Sequence, residues 1–324
     1  MWVFLPYLLP LAIVVFANLG VNRRRWRLLT YACLGLLHTM TLLVGLLLLS
    51  IPALLRLTET PLSPELAGFR FVGLGFGLTL TAGLGFASLV APLRRPWARW
   101  LPIDPDSPVH VTAVTFILYL GSTSLIVLLS AGEALRVGLE LVRIDSTYVV
   151  ASQAVFLVFA LAGVGLGTRR DVRNTLARLG LRRPAMRDLV LAAVMVAAFL
   201  TLDYAASLLW HRLWPASYQA VTDVSEGLFG RFASPYGALL LGLSAGIGEE
   251  TLFRGALQPR FGIPLTALIF TVGHVQYALS PAIVEVFIIG LALGWLRRRS
   301  NTTTCVAVHA AYNFLDLLIM PFFP

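Results

Sequence analysis

The sequence predicts an all-α, polytopic transmembrane helical bundle, and three observations carry that reading. Of the 324 residues 58% are hydrophobic and 13% charged, with a mean hydropathy of +0.82, too apolar for a soluble globular surface. Apolar runs of roughly 20 residues recur along the chain, the length a helix needs to cross the hydrocarbon core. All 25 basic residues are arginine, grouped between those runs as topology determinants are. Sheet edges and open loops cannot face lipid, and the alternation of a membrane β-barrel is absent, so the spans are helices.

Ten spans are expected, at about 3–21, 28–54, 71–93, 111–131, 148–168, 189–210, 236–258, 263–280, 281–296 and 302–320. The first apolar run carries its basic group, Arg23 to Arg27, on its C-terminal side, so it reads as a retained span with the N-terminus outside. The inner loops then hold Arg23, Arg24, Arg25 and Arg27; Arg94, Arg95 and Arg99; the seven arginines from Arg169 to Arg187; Arg260; and Arg297 to Arg299. The outer loops hold six, Arg56, Arg70, Arg136, Arg143, Arg212 and Arg231. That bias predicts both termini outside, and the lysine-free, arginine-rich composition without an organelle-targeting sequence suggests a bacterial inner membrane.

The longest inner loop divides the chain into an accessory block, 1–168, a basic cytoplasmic loop, 169–188, and a second membrane block, 189–324. Arginines in the loop alternate with Leu176, Leu179 and Leu181, which suits a short helix on the membrane face. Five spans before it hold few ionisable groups; those after it hold Asp203, Glu249, Glu250, Arg254, His274, Glu285, His309 and Asp316. The net charge of +9 suits anionic lipid headgroups rather than nucleic acid, because it is spread over the loops. Cys33 and Cys305 both lie in apolar segments, which excludes a disulfide framework or thiolate metal site.

The chemistry of the second block centres on Gly-Glu-Glu-Thr-Leu-Phe-Arg, Gly248 to Arg254. A charge at membrane depth is costly and is kept where pairing or function needs it. Glu250 and Arg254 stand at i,i+4 with the acid first, a natural internal ion pair, while Glu249 projects about 100° away and is left free. Glu249 and Glu250 fall roughly 12–14 Å from the inner face, His274 roughly 16 Å, and His309 and Asn313 roughly 10–17 Å, so three helices present polar groups at one depth. The pairs Gly242/Gly246 and Gly290/Gly294 form faces for close helix approach. A free buried carboxylate beside imidazoles suits activation of water, with His274 orienting it or protonating a leaving amine, and His309 with Asn313 facing an oxyanion. The same residue types also suit Zn²⁺ held by Glu249, His274 and His309.

In order, Glu249-Glu250-Thr-Leu-Phe-Arg254, Phe270-Thr-Val-Gly-His274, the span with Gly290 and Gly294, and His309-Ala-Ala-Tyr-Asn313 resemble the CPBP (Abi/CAAX protease) intramembrane protease family, which includes the Ras-converting CAAX endopeptidases. The resemblance covers about 236–320. It implies a peptidase cutting a membrane-associated protein or peptide. Glu249 corresponds to the water-activating base, His274 to its partner, and His309 and Asn313 to the oxyanion or ligand pair. Glu250 and Arg254 become mainly architectural, with Phe270 in support. A glutamate mechanism without a cofactor is favoured, Zn²⁺ being the alternative.

The remaining polar residues have plainer roles: His38 bonding a neighbouring helix, His110 and His211 at interfaces, and Asp203, Glu285 and Asp316 in interhelical contacts. Two other functions use the same residue types. A secondary transporter or proton-coupled pathway employs buried Glu and His as relays, although no inverted repeat is visible. A non-catalytic membrane binding protein would keep the fold and lose the reaction.

Overall fold

A computed structural model describes residues 5–59, 61, 70–130 and 144–319. Arg136 and Arg143, and the predicted span ends at 3, 131 and 320, lie outside the described residues. The described chain is all-α, with a single isolated bridge between Leu166 and Arg170 and no strand among the described residues. Its helices are α1 Leu5–Leu19, α2 Arg24–Leu57, α3 Phe71–Leu89, α4 Pro108–Ser130, α5 Ser146–Gly163, α6 Val172–Leu179, α7 Met186–Leu213, α8 Pro215–Phe229, α9 Pro235–Glu250, α10 Gln258–Val272, α11 Pro281–Arg299 and α12 Thr302–Ile319. Five of them, α2, α3, α4, α5 and α7, are long and apolar enough to cross a membrane, and α1 is a shorter apolar helix. Ten helical stretches were expected to do so. The five others expected are α1, with 15 described residues, and four helices of the second block, where α9 ends after 16 residues and α10 is broken at Gly262 (φ +73°).

Contacts group the chain into two compact units whose boundary differs from the one expected at 169–188. The first unit comprises Met1–Val15, Val142–Thr271 and Ser280–Pro324; the second comprises Phe16–Leu141 and Val272–Leu279. Helix α5, expected in the accessory block, thus belongs with the motif-bearing helices.

In the second unit α2, α3 and α4 pack through glycine and hydroxyl groups. A Cβ on Gly75 would meet Gly45 O and Leu49 N at 2.7 Å, so two helix backbones touch where only hydrogen occupies the side-chain position. Thr81 donates to Ser122 Oγ at 2.8 Å, and Ser88 and Thr115 share a hydrogen bond of 2.8 Å, joining α3 to α4.

In the first unit local sequence sets the helix ends. Asp145 and Asp171 accept the backbone N–H of Tyr148 and Asn174 at 2.7 and 2.8 Å, starting α5 and α6. Ser234 caps α9 through Gly237 N, with Pro235 in the first helical position. Gly180 ends α6 in the left-handed region, φ +72°. The short helix expected in the basic loop is therefore present. Its Leu179 is buried against Ala160 and Val164, whereas Leu176 faces outward.

The principal core unites α7, α11 and α12 through Ala192, Val196, Phe199, Leu293, Leu296, Cys305 and Val308. Helices α9 and α12 approach most closely at the expected glycines. A Cβ on Gly242 would meet Ala310 O at 2.5 Å, and one on Gly246 would meet Val306 O at 2.9 Å. That contact brings the end of α9 beside His309.

Candidate active site

After Glu250 the helix does not continue in regular form, as expected through residue 258, but widens into a π-helix over Thr251–Leu257. Such a segment loosens the i→i−4 ladder and is common at functional sites. Its carbonyls are taken up from outside: Arg178 of α6 donates to Gly255 O at 3.0 Å and to Ala256 O at 3.3 Å. Following the segment, Gln258 Nε2 donates to Gly294 O of α11 at 2.8 Å.

Glu250 is fully buried between two partners, one on each oxygen, and its Oε2 has the ion pair with Arg254 without a hydrogen bond among the described residues. Arg254 Nε stands 3.2 Å from its Oε2, and His309 Nδ1 stands 2.8 Å from its Oε1, with both acid and guanidinium at 1% exposure or less. Burial makes either charge untenable alone, so the two stabilise each other and the imidazole completes the shell. Above them Phe270 is buried and covers the guanidinium, with Arg254 Cζ 4.6 Å from its ring centroid. The same ring meets Phe253 edge-on at 5.2 Å and His309 at 6.1 Å. Glu250, read as architectural, thus also fixes the ring of His309 and leaves Nε2 as the nitrogen free to act.

Glu249 is treated differently. It is 9% exposed, and its hydrogen bond comes from a neutral amide: Gln153 Nε2 donates to Oε1 at 2.9 Å. Glu249 also lies within electrostatic reach of the His309 ring. Asn313, one turn beyond His309 on α12, is half-buried, and no hydrogen bond reaches its side chain among the described residues.

His274 departs from expectation. It is not on a helix, because α10 ends at Val272, and the residue sits with φ −93° and ψ 54° at the entry to a 3-10 turn, Val275–Tyr277. The segment Val272–Leu279 belongs to the second compact unit, where the His274 ring stacks on Tyr277 at 6.1 Å. The depth argument assumed an unbroken helix through residue 280, and Gly273 ends it.

The Zn²⁺ reading does not find a ready set of ligands. Among the described residues no group of three or more His, Cys, Asp or Glu side chains is placed to hold a metal ion, and His309 Nδ1 is engaged by Glu250.

Sequence reasoning missed Gln153. The signal was present: a lone amide midway along the apolar helix α5, in a block dismissed for lack of ionisable groups. His38 is a correction of another kind. It is fully buried in the second unit, yet neither ring nitrogen has the hydrogen bond to a neighbouring helix that was expected. Asp203 and Asp316 do share a hydrogen bond, joined by Tyr312, which braces α7 against α12.

Comparisons with known proteins agree with the motif reading. Residues 231–315 match the model of a family described as type II CAAX prenyl endopeptidase Rce1-like. A Bacillus subtilis (strain 168) protein described as uncharacterized protein YpbD is 29% identical over 145 residues, 43% of this chain and 72% of that protein. No solved structure matches the chain. The matched stretch begins just before α9 and ends after His309 and Asn313, so the similarity to the type II CAAX prenyl endopeptidase Rce1-like family lies in residues 231–315, the part of the chain that carries the motifs.

Proposed function

We propose that the protein is an intramembrane endopeptidase that hydrolyses a peptide bond of a membrane-associated protein or peptide, with Glu249 as the base. The observation that carries this reading is the unequal treatment of two adjacent carboxylates. Glu250 is ion-paired with a guanidinium and hydrogen-bonded to an imidazole, which commits it to holding Arg254 and His309. Glu249 is held by a neutral amide and is the less committed of the two, the one we assign to water.

The reaction then runs in two steps. Glu249 accepts a proton from water while the hydroxide oxygen bonds the peptide carbonyl carbon and the carbonyl π electrons move to oxygen. His309, held through Nδ1 by Glu250, donates from Nε2–H in its imidazolium form to that oxyanion, and Asn313 adds an amide donor. The oxyanion collapses, the C–N bond breaks, and the proton taken by Glu249 passes to the leaving amine. The family match supports a CAAX-type peptidase working at a membrane; the bacterial inner membrane and the residue roles are our assignment.

The test is cleavage of a lipid-anchored, internally quenched fluorogenic peptide by the purified protein. Wild type is expected to cleave it, and Glu249→Gln and His309→Ala to lose that activity. Undiminished cleavage by both variants overturns the assignment. Repeating the assay after chelation, with metal content measured, separates glutamate from zinc chemistry. A proton-coupled pathway is the second reading, favoured by the shared hydrogen bond of Asp203 and Asp316 in the same unit. Glu249-dependent proton flux in proteoliposomes without peptide hydrolysis would select it.

A further inference from the structure

We propose that Gln153 is a positioning residue that holds Glu249 hydrogen-bonded in both of its protonation states, an inference that rests on the peptidase reading. Gln153 lies on α5, outside the matched residues 231–315, and reaches Glu249 across 96 residues of sequence. The approach is built into the backbone. A Cβ on Gly248 would lie 2.6 Å from both the backbone oxygen and Oε1 of Gln153 and 3.0 Å from its Cβ, so α5 meets α9 at a distance only glycine permits. Three residues along α5, Phe156 packs edge-on against Phe253 at 6.3 Å and holds the helix face toward the π segment.

The chemistry follows from what an amide offers. Its NH2 donates and its oxygen accepts, and the two ends have nearly the same shape. While Glu249 is ionised, Nε2 donates to its Oε1, as seen. Gln153 Oε1 is meanwhile buried without a partner, an acceptor not yet used. Once Glu249 has taken the proton from water, its O–H needs an acceptor, and a half-turn of the amide presents Oε1 to it. Gly248 leaves the space for that turn. A cation at this position would favour only the carboxylate, as Arg254 does for Glu250; a carboxylate would repel it. The amide serves both ends of the proton transfer without adding charge to a buried site.

The experiment compares full-length wild type, Gln153→Met, Gln153→Glu and Glu249→Gln on the lipid-anchored fluorogenic peptide, with thermal unfolding in the same detergent. Gln153→Met keeps length without hydrogen bonding and is expected to lower kcat about 10- to 100-fold, with KM within twofold and an unchanged Tm. Gln153→Glu keeps the shape and an acceptor, loses the donor, and is expected to lower kcat further. A kcat within twofold of wild type in Gln153→Met overturns the proposal, as does a loss confined to KM. If Gln153→Met does not fold, the isosteric Gln153→Glu carries the same criterion. Equal cleavage by wild type and Glu249→Gln would end the peptidase reading itself, a separate outcome that removes the role of Gln153 with it.

Discussion

Each compact unit buries an imidazole, and the two are handled in opposite ways. His38, at 0% exposure, lies against Gly85 and the rings of Phe86 and Tyr119, with neither nitrogen bonded. His309, at 7% exposure, is bound through Nδ1 to a carboxylate that is itself held by a guanidinium. Both units close their helices through glycines; the second adds hydroxyl pairs, and the first adds the buried ion pair of Glu250 and Arg254. Burial therefore marks nothing by itself. What separates His38 from His309 is the chain of partners behind the ring, which among the described residues is built for His309 and not for His38.

This contrast can be broken at four points. The largest effect is expected from Glu249→Gln, which should lower turnover of a lipid-anchored peptide by about 10²- to 10⁴-fold while leaving the unfolding temperature unchanged, because it removes a base but not an ion pair. Arg254→Met attacks stability instead. It strips a buried carboxylate of its main counter-charge and should cost about 3–5 kcal/mol, read by thermal unfolding in detergent. Gly242→Leu drives a side chain into Ala310 O; overpacking of this kind should cost about 1–3 kcal/mol and lower activity, because α12 carries His309. His38→Leu should do least: an unbonded polar group is replaced by an apolar one, so stability should rise by about 1 kcal/mol or stay level, and cleavage should not change. A large loss of activity in His38→Leu would erase the distinction between the two imidazoles.

The membrane class, the helical architecture and the ion pair of Glu250 with Arg254 were legible in the sequence because each follows from local spacing. Hydrophobic runs set helix length, and i,i+4 sets which side chains share a face. The glycine faces were legible for the same reason, since Gly242 and Gly246 repeat at the helical interval and do receive α12. Less visible were the places where the backbone leaves the regular helix. Composition does not announce the π-helix at Thr251–Leu257, and the end of α10 at Val272 removed His274 from the helix on which its depth was reckoned. A count of apolar residues treats both segments as uninterrupted spans.

Sequence alone determined that this chain lies in a membrane, that its intramembrane acids gather in the later spans, and that Glu250 must be paired, because lipid leaves a lone charge no alternative. Tertiary structure decided which partner each group obtained. Glu250 received Arg254 and His309, and Glu249 received Gln153 from a helix 96 residues away. Hydrogen bonds between distant segments depend on how closely two helix axes approach and how they are rotated, and here both depend on a glycine beside each contact. No periodicity within one span carries that information.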